Sequence, residues 1–323
     1  MEHTVFDVIA LGELLIDFTQ TGVSSRGNAL FEANPGGAPA NVLAMLSKLG
    51  KQCAFVGKVG SDGFGDTLAD TLRSAGIDTR GLLRDPEIPT TLALVRTLPG
   101  GDRDFSFYRK PGADIMLSAE ELDVSLLRRC RVFHFGSLSL TDEPCRTATR
   151  RALAMARDGG ALISFDPNLR PPLWRSQEEA REQILWGLKH CDILKIADNE
   201  LLFMTGESDF DRGALQLRRQ FPNIRLLNVT AGAQGSYSYY DGLSVFEPAL
   251  ALGGVIETTG AGDTFCASVL NYVLEHGLDG LGDGQLHQML RFANTAAYLV
   301  TTKRGAIPAL PEREQVEALL SAN

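Results

Sequence analysis

Residues 258–264 read Thr-Thr-Gly-Ala-Gly-Asp-Thr and run directly into an apolar stretch, 264–274. Gly260 and Gly262, with Ala261 between them, let the backbone turn tightly and aim successive N–H groups into one space. A helix expected to follow adds its positive N-terminal end at the same point. Such a main-chain cradle suits phosphate oxygens. Asp263 falls inside it, where a carboxylate is repelled by phosphate unless it has a task. Beside an electrophilic phosphorus it can take the proton of an attacking hydroxyl. The chemistry this predicts is phosphoryl transfer to an alcohol, with Asp263 as base and residues 260–262 as the charge-stabilising amides.

Other segments carry groups that could hold the reactants. Gly36-Gly37-Ala38-Pro39-Ala40-Asn41 opens a helix, with two glycines before it and proline in its first turn. The glycines allow close approach of a ligand and Asn41 faces the same way one turn later; a bare strand-to-helix turn is the other reading. Asp17, just past the first strand, can accept sugar hydroxyls or be a solvated loop acid. Asp166-Pro167-Asn168-Leu169-Arg170 follows an apolar run and offers a polar face to phosphate, magnesium-bound water or sugar, or is a surface turn. In Asp198-Asn199-Glu200, Asp198 reads as a helix cap, and Glu200 could hold water around magnesium, an ion that takes few protein carboxylates. Thr230-Ala231-Gly232-Ala233-Gln234-Gly235 is a glycine turn fit to admit a nucleotide or, equally, to close a hairpin.

These segments need a frame. Short β-rich runs alternate with helical patterns: strands at 5–11, 53–59, 132–135, 162–165, 193–197 and 225–230, and helices at 38–49, 63–75, 144–158, 178–191, 199–204 and 213–221. The alternation predicts an α/β fold, a doubly wound, mostly parallel sheet with helices on both faces. Two stretches, about 14–35 and 88–110, alternate like strands without intervening helices. They predict a small β-sheet lid over the carboxyl ends of the strands, where open α/β sheets bind ligands; a plain edge hairpin is the alternative. The expectation is one domain, 1–323, bearing a lid.

The bulk numbers fit that picture. Net charge is −9 over 323 residues and no basic cluster occurs, which argues against nucleic acid or an anionic membrane as partner. No apolar run approaches the ~20 residues of a membrane span. Five scattered cysteines without C-x-x-C spacing read as reduced core thiols of a cytoplasmic protein, and the N-terminus, including His3, reads as a first strand rather than a signal. No P-loop, dinucleotide fingerprint or nucleophile elbow is present. His134, in Val-Phe-His-Phe, reads as a core residue.

Taken together, the motifs resemble the ribokinase-like (PfkB) carbohydrate kinases over essentially the whole chain, and within them the fructokinases. The string Phe107-Tyr108-Arg109-Lys110-Pro111-Gly112-Ala113-Asp114 carries that likeness, as do Glu143-Pro144-Cys145-Arg146 and the run from Asp166 to Trp174. The resemblance implies transfer of the γ-phosphoryl group of ATP to a sugar hydroxyl, with magnesium, in a cytoplasmic enzyme that often pairs as a homodimer through its lids. By position it implies that Asp17, Gly36, Gly37, Asn41, Phe107, Arg109 and Arg170 hold the sugar. Thr230, Gly232, Gly235 and Asn294 would meet ATP, with Asn168 and Glu200 toward phosphate and magnesium. Two departures stand out: Ala197 replaces the asparagine of the N-x-x-E motif, and Glu257 replaces an aspartate that helps bind potassium in activated relatives. A 2-keto-3-deoxygluconate kinase, whose acid substrate would call on Arg103, Arg109 and Arg170, is the nearest rival; a non-catalytic sugar- or nucleotide-binding regulator is the remote one.

Overall fold

The computed structural model describes residues 5–97 and 103–322. The start of the N-terminal stretch, with His3, and the tip of the second lid segment lie outside the described residues. Among the described residues thirteen strands are formed. In chain order they are β1 (Phe6–Leu11), β2 (Leu15–Val23), β3 (Ala29–Gly36), β4 (Cys53–Gly60), β5 (Asp78–Asp85), β6 (Leu92–Thr97) and β7 (Arg103–Tyr108). There follow β8 (Cys130–Gly136), β9 (Leu162–Asp166), β10 (Ile193–Ala197), β11 (Leu226–Thr230), β12 (Gly235–Tyr240) and β13 (Leu243–Pro248).

Nine of them make the main sheet, in the order β13-β12-β11-β10-β9-β8-β1-β4-β5. Every pairing from β11 across to β5 is parallel, and the last two at the other edge are antiparallel. The chain leaves β1 toward β4 and returns to its other side at β8, so the order reverses between β1 and β8. That is where such sheets open a crevice at their carboxyl ends. Parallel strands covered on both faces must be apolar throughout. The sequence obeys this: all eight residues of β4 are buried.

Helices cover the two faces in two separate cores. One packs helices Ala38–Lys48, Ala261–His276 and Asp283–Thr301 around Phe55, Phe265 and Met289. The other packs helices Cys145–Asp158 and Gln177–His190 around Phe133, Phe135 and Phe165. His134 is 1% exposed, its Nδ1 2.9 Å from Ser164 Oγ, and burial pushes its pKa down to about 3. It is a neutral core residue, and all five cysteines are buried and free.

The stretches at 14–35 and 88–110 supply a second sheet, β3-β2-β6-β7, and not an edge hairpin. In it β2 and β6 run parallel, so the two segments, distant in sequence, are stitched into one roof. Some helix limits differ from the periodicity. The helix expected at 213–221 starts at Phe210, because Asp209 Oδ1 accepts the N–H of Arg212 at 2.9 Å and caps it earlier. Asp198 is the first helical residue and not the cap, which falls on Ala197. Helices Asp283–Thr301 and Arg313–Ala322 were not among the expected elements. Among the described residues, no helix is long and apolar enough to cross a membrane.

Candidate active site

At the carboxyl ends of β1, β9, β10 and β11, under the lid, lies a cleft of about 570 Å³. Its end wall is the N-terminus of helix Ala261–His276. Gly260 precedes that helix with φ +80°, a left-handed turn that glycine makes without strain. The first N–H groups of a helix lack intrahelical acceptors. Here the Ala261 N–H leans on Thr258 O at 3.3 Å, which leaves Gly262 and Asp263 to present the helix end to the cleft. Gly260, Gly262 and Asp263 are all in the cleft wall.

Asp263 is held from the opposite helix. Asn41 Nδ2 donates to Asp263 Oδ2 at 2.8 Å across 222 residues of chain. What sets Asn41 is the turn before it. Gly37 has φ +123°, and a Cβ there would come within 2.3 Å of Glu13 O, so glycine is obligatory. Glu13 Oε1 in turn accepts the Ala38 N–H at 3.0 Å and fixes the start of helix Ala38–Lys48. Burial raises the Asp263 pKa above the ordinary aspartate value, against the pull of Asn41, Lys195 and Arg170.

The roof brings Leu15, Asp17, Thr19, Asn34, Val95 and Phe107 down onto the same space. Asp17 lies on β2, and Gly36 beside it leaves room: a Cβ at Gly36 would sit 3.0 Å from Asp17 Oδ2. Burial pushes the Asp17 pKa to about 7; Arg170 opposes this, while Glu257 and Asp263 add to it. Asn168 and Arg170 stand in the wall after β9. Asn168 adopts φ +44°, tolerable for asparagine, and its N–H donates to Asp166 Oδ1 at 3.2 Å. Thr230, Gly232 and Glu257 also line the cleft. Glu257 accepts from Thr259 Oγ1 at 2.6 Å and from the Gly305 N–H at 3.2 Å, clasping two loops together.

Four expected residues are placed elsewhere. Arg109 is 6% exposed and outside the cleft wall. Its Nε donates to Asp114 Oδ2 at 2.7 Å, and its Nη atoms to Thr141 Oγ1 and Leu138 O. A buried guanidinium must be fully paired, and Asp114 in the same motif does that. Glu200 is likewise buried outside the wall: its Oε1 accepts the Leu169 N–H at 2.6 Å and its Oε2 the Ala197 N–H at 2.8 Å. Asn294 donates to the carbonyls of Glu247 and Pro248 and accepts from Ser236 Oγ, bracing β12 and β13. Gly235, with φ +130° and its Cβ position 2.1 Å from Glu247 O, serves the β11–β12 hairpin. Ala197 does line the cleft, putting a methyl where the N-x-x-E motif has an amide. The Arg103 side chain lies outside the described residues.

Two residues escaped the sequence reading. Glu13 is 3% exposed, with its pKa raised by burial to about 7, and its Oε2 has no hydrogen-bonding partner among the described residues. Lys195, central in β10, is 6% exposed yet reaches the cleft floor, its Nζ 3.1 Å from Asp166 Oδ2. Burial alone would lower its pKa; the carboxylates of Asp166, Glu200 and Asp263 push it above the ordinary lysine value, so it is an ammonium. Its signal in sequence was a lone lysine in an apolar strand, Ile-Leu-Lys-Ile-Ala, a position that charge does not occupy without a partner.

The pattern of pfkB family carbohydrate kinases matches residues 5–313. Probable fructokinase-2 of Arabidopsis thaliana is 45% identical over 311 residues, covering 94% of this chain and 92% of the relative. The crystal structure of a fructokinase from Xylella fastidiosa with bound ATP superposes with a TM-score of 0.89 at 30% identity, covering 98% of each chain. A double mutant of the fructokinase of Vibrio cholerae O395, in a fructose, ADP and potassium ion bound form, gives 0.86 at 29% identity, covering 98% of this chain and 99% of that one.

Proposed function

The chain belongs to the pfkB family of carbohydrate kinases, and on that premise we propose that its cleft phosphorylates a primary hydroxyl of D-fructose with ATP. The observation that carries this is Asp263, half-buried at a helix N-terminus and gripped by Asn41, with a sugar-sized space between it and the lid. The curated relatives and solved fructokinases that cover nearly the whole chain support the choice of sugar.

Fructose lies under the roof, its hydroxyls facing Asp17 and Asn34 and its reacting oxygen facing Asp263. Thr230 and Gly232 admit ATP from the other end. Asp263 accepts the hydroxyl proton as the oxygen attacks the γ-phosphorus, and ADP leaves with the bridging oxygen. Because the transition state is loose, positioning and charge stabilisation outweigh base strength. The amides and dipole at the start of helix Ala261–His276 supply that stabilisation.

Among the described residues no group of three or more His, Cys, Asp or Glu is arranged to hold a metal ion. Magnesium keeps several waters and rides on nucleotide phosphates, so it needs no such cage. Asn168 in the wall fits its water shell; Glu200, with both oxygens taken by backbone N–H groups, does not line that space. When bound, the ion neutralises charge on the phosphates. Glu257, at the clasp of two loops, is our candidate for a potassium contact. Pairing of two copies through the lids would cover Val23, Leu30 and Tyr108, all exposed; sedimentation of the purified protein tests it. The sugar-acid alternative loses support, since Arg109 is committed to Asp114.

The deciding experiment is a coupled ADP-release assay with fructose, glucose, mannose and 2-keto-3-deoxygluconate, with and without potassium. Fructose is expected to give the highest kcat/KM. Preference for the sugar acid, or equal ADP release without any sugar, would overturn the reading.

A further inference from the structure

The floor of the cleft holds a cation that the chemistry above does not use. Lys195 projects from the middle of β10 into an interior where an unpaired ammonium is prohibitively costly. Asp166 steadies it from β9, with Nζ 3.2 Å from Oδ1 and 3.1 Å from Oδ2. Glu200 stands behind, tying the loops after β9 and β10 through the N–H groups of Leu169 and Ala197. The ammonium is aimed forward, at the helix end. A Cβ built on Gly262 would lie 3.1 Å from Nζ, so the glycine leaves open the gap between the lysine and the cradle. Cleft-lining atoms of Lys195, Gly262 and Asp263 therefore converge on one point from two elements.

We propose that Lys195 is a catalytic residue whose ammonium donates a hydrogen bond to an oxygen of the phosphoryl group in flight, opposite the helix N-terminus. This rests on the kinase reading of the same cleft. In the step, the bond between the fructose oxygen and the γ-phosphorus forms, and the bond from that phosphorus to the β–γ bridging oxygen breaks. The proton passes to Asp263 and the electron pair leaves on ADP. Lys195 gains and loses no proton; it meets negative charge on the equatorial oxygens. Asp166 and Glu200 position it.

The test compares wild type, Lys195→Met, Asp166→Asn and the double variant, which removes the Lys195–Asp166 ion pair as a unit instead of splitting it. With fructose and ATP, kcat of Lys195→Met is expected to fall about 100- to 1000-fold, the usual effect of losing one such donor. Dissociation constants for fructose and ADP should stay within about threefold, because those ligands lack the transferring group. In the presence of fructose, fluoroaluminate, a mimic of that group, should tighten ADP binding to wild type and fail to do so for Lys195→Met. The double variant should be as slow as Lys195→Met. Recovery of the double variant to the rate of Asp166→Asn would mean that the lysine only neutralises Asp166, and overturns the proposal. So does a Lys195→Met enzyme with near wild-type kcat. A wild type that releases no ADP with any sugar removes the kinase reading and this inference together; an active wild type beside an undiminished variant removes the inference alone.

Discussion

The two ends of the cleft are built differently. At the end proposed for the sugar, Glu13, Asn41 and Asp263 are joined by hydrogen bonds and Gly37 by close backbone approach, Glu13 is buried, and Asp17 and Asp263 are half-buried. At the end proposed for the nucleotide, Thr230 and Gly232 sit at a hairpin turn, and the segment before the cradle leaves Leu252, Val255 and Ile256 exposed. If the proposed reading holds, the reactant that must be aligned most closely meets the more tightly bonded end, and the one gripped through its phosphates meets the other.

The sharpest way to break this contrast is Asp263→Asn. A positioned base is worth about 100- to 10,000-fold, so kcat should fall by that much while the variant still binds fructose and ADP in calorimetry. Near wild-type turnover would sink the assignment of the base.

Arg109→Met comes next and acts on stability. Removing one partner of a buried ion pair leaves Asp114 uncompensated, at a cost of about 3–5 kcal/mol in a denaturant titration. Since Arg109 does not line the cleft, the KM for fructose of the folded fraction should hardly change; a large rise would restore the sugar contact expected from the sequence.

A third test is pH. Asp17 can accept sugar hydroxyls fully only when ionised, and its folded pKa is about 7. The kcat/KM for fructose should then fall about tenfold per unit below pH 7, a profile that reports groups of the free enzyme. Stability should run the other way. Asp17 and Glu13 have ordinary values of 3.8 and 4.5 and folded values of about 7, so an unfolded chain releases these protons first. Their contribution therefore weakens as pH rises from about 5 to about 7. A melting temperature that climbs across that window, or a slope untouched by Asp17→Asn, would count against these two groups as its source.

The smallest effect belongs to the open end. Leu252→Ser, on an exposed loop, should alter stability by no more than about 0.5 kcal/mol and leave the fructose KM unchanged. A clear loss of melting temperature would show that the nucleotide end is as tightly built as the other.

Much of this was legible in the residues. Strict alternation of apolar runs and helical patterns marked the parallel sheet, and the glycine-bracketed Asp263 marked the cradle. Asn41 lines the cleft one helical turn from its glycines, a spacing that is local and therefore readable. What escaped were pairings between distant segments. Nothing near Arg109 in sequence says that Thr141 and Leu138 O will enclose its guanidinium. Nothing near Glu200 says that its oxygens will be taken by Leu169 and Ala197. Lys195 was passed over for the converse reason: an apolar strand reads as core, and only the register beside β9 shows what neutralises it.

The junction between roof and wall is short. Strand β3 ends at Gly36, which abuts Asp17, and Gly37 follows as the obligatory hinge-like contact on Glu13 before the helix that carries Asn41. Asp17 thus belongs to the roof itself, and the two glycines that end the roof strand lead directly into the helix whose Asn41 holds Asp263. On the reading proposed above, the cover over the sugar and the support of the base therefore share one covalent tether two glycines long.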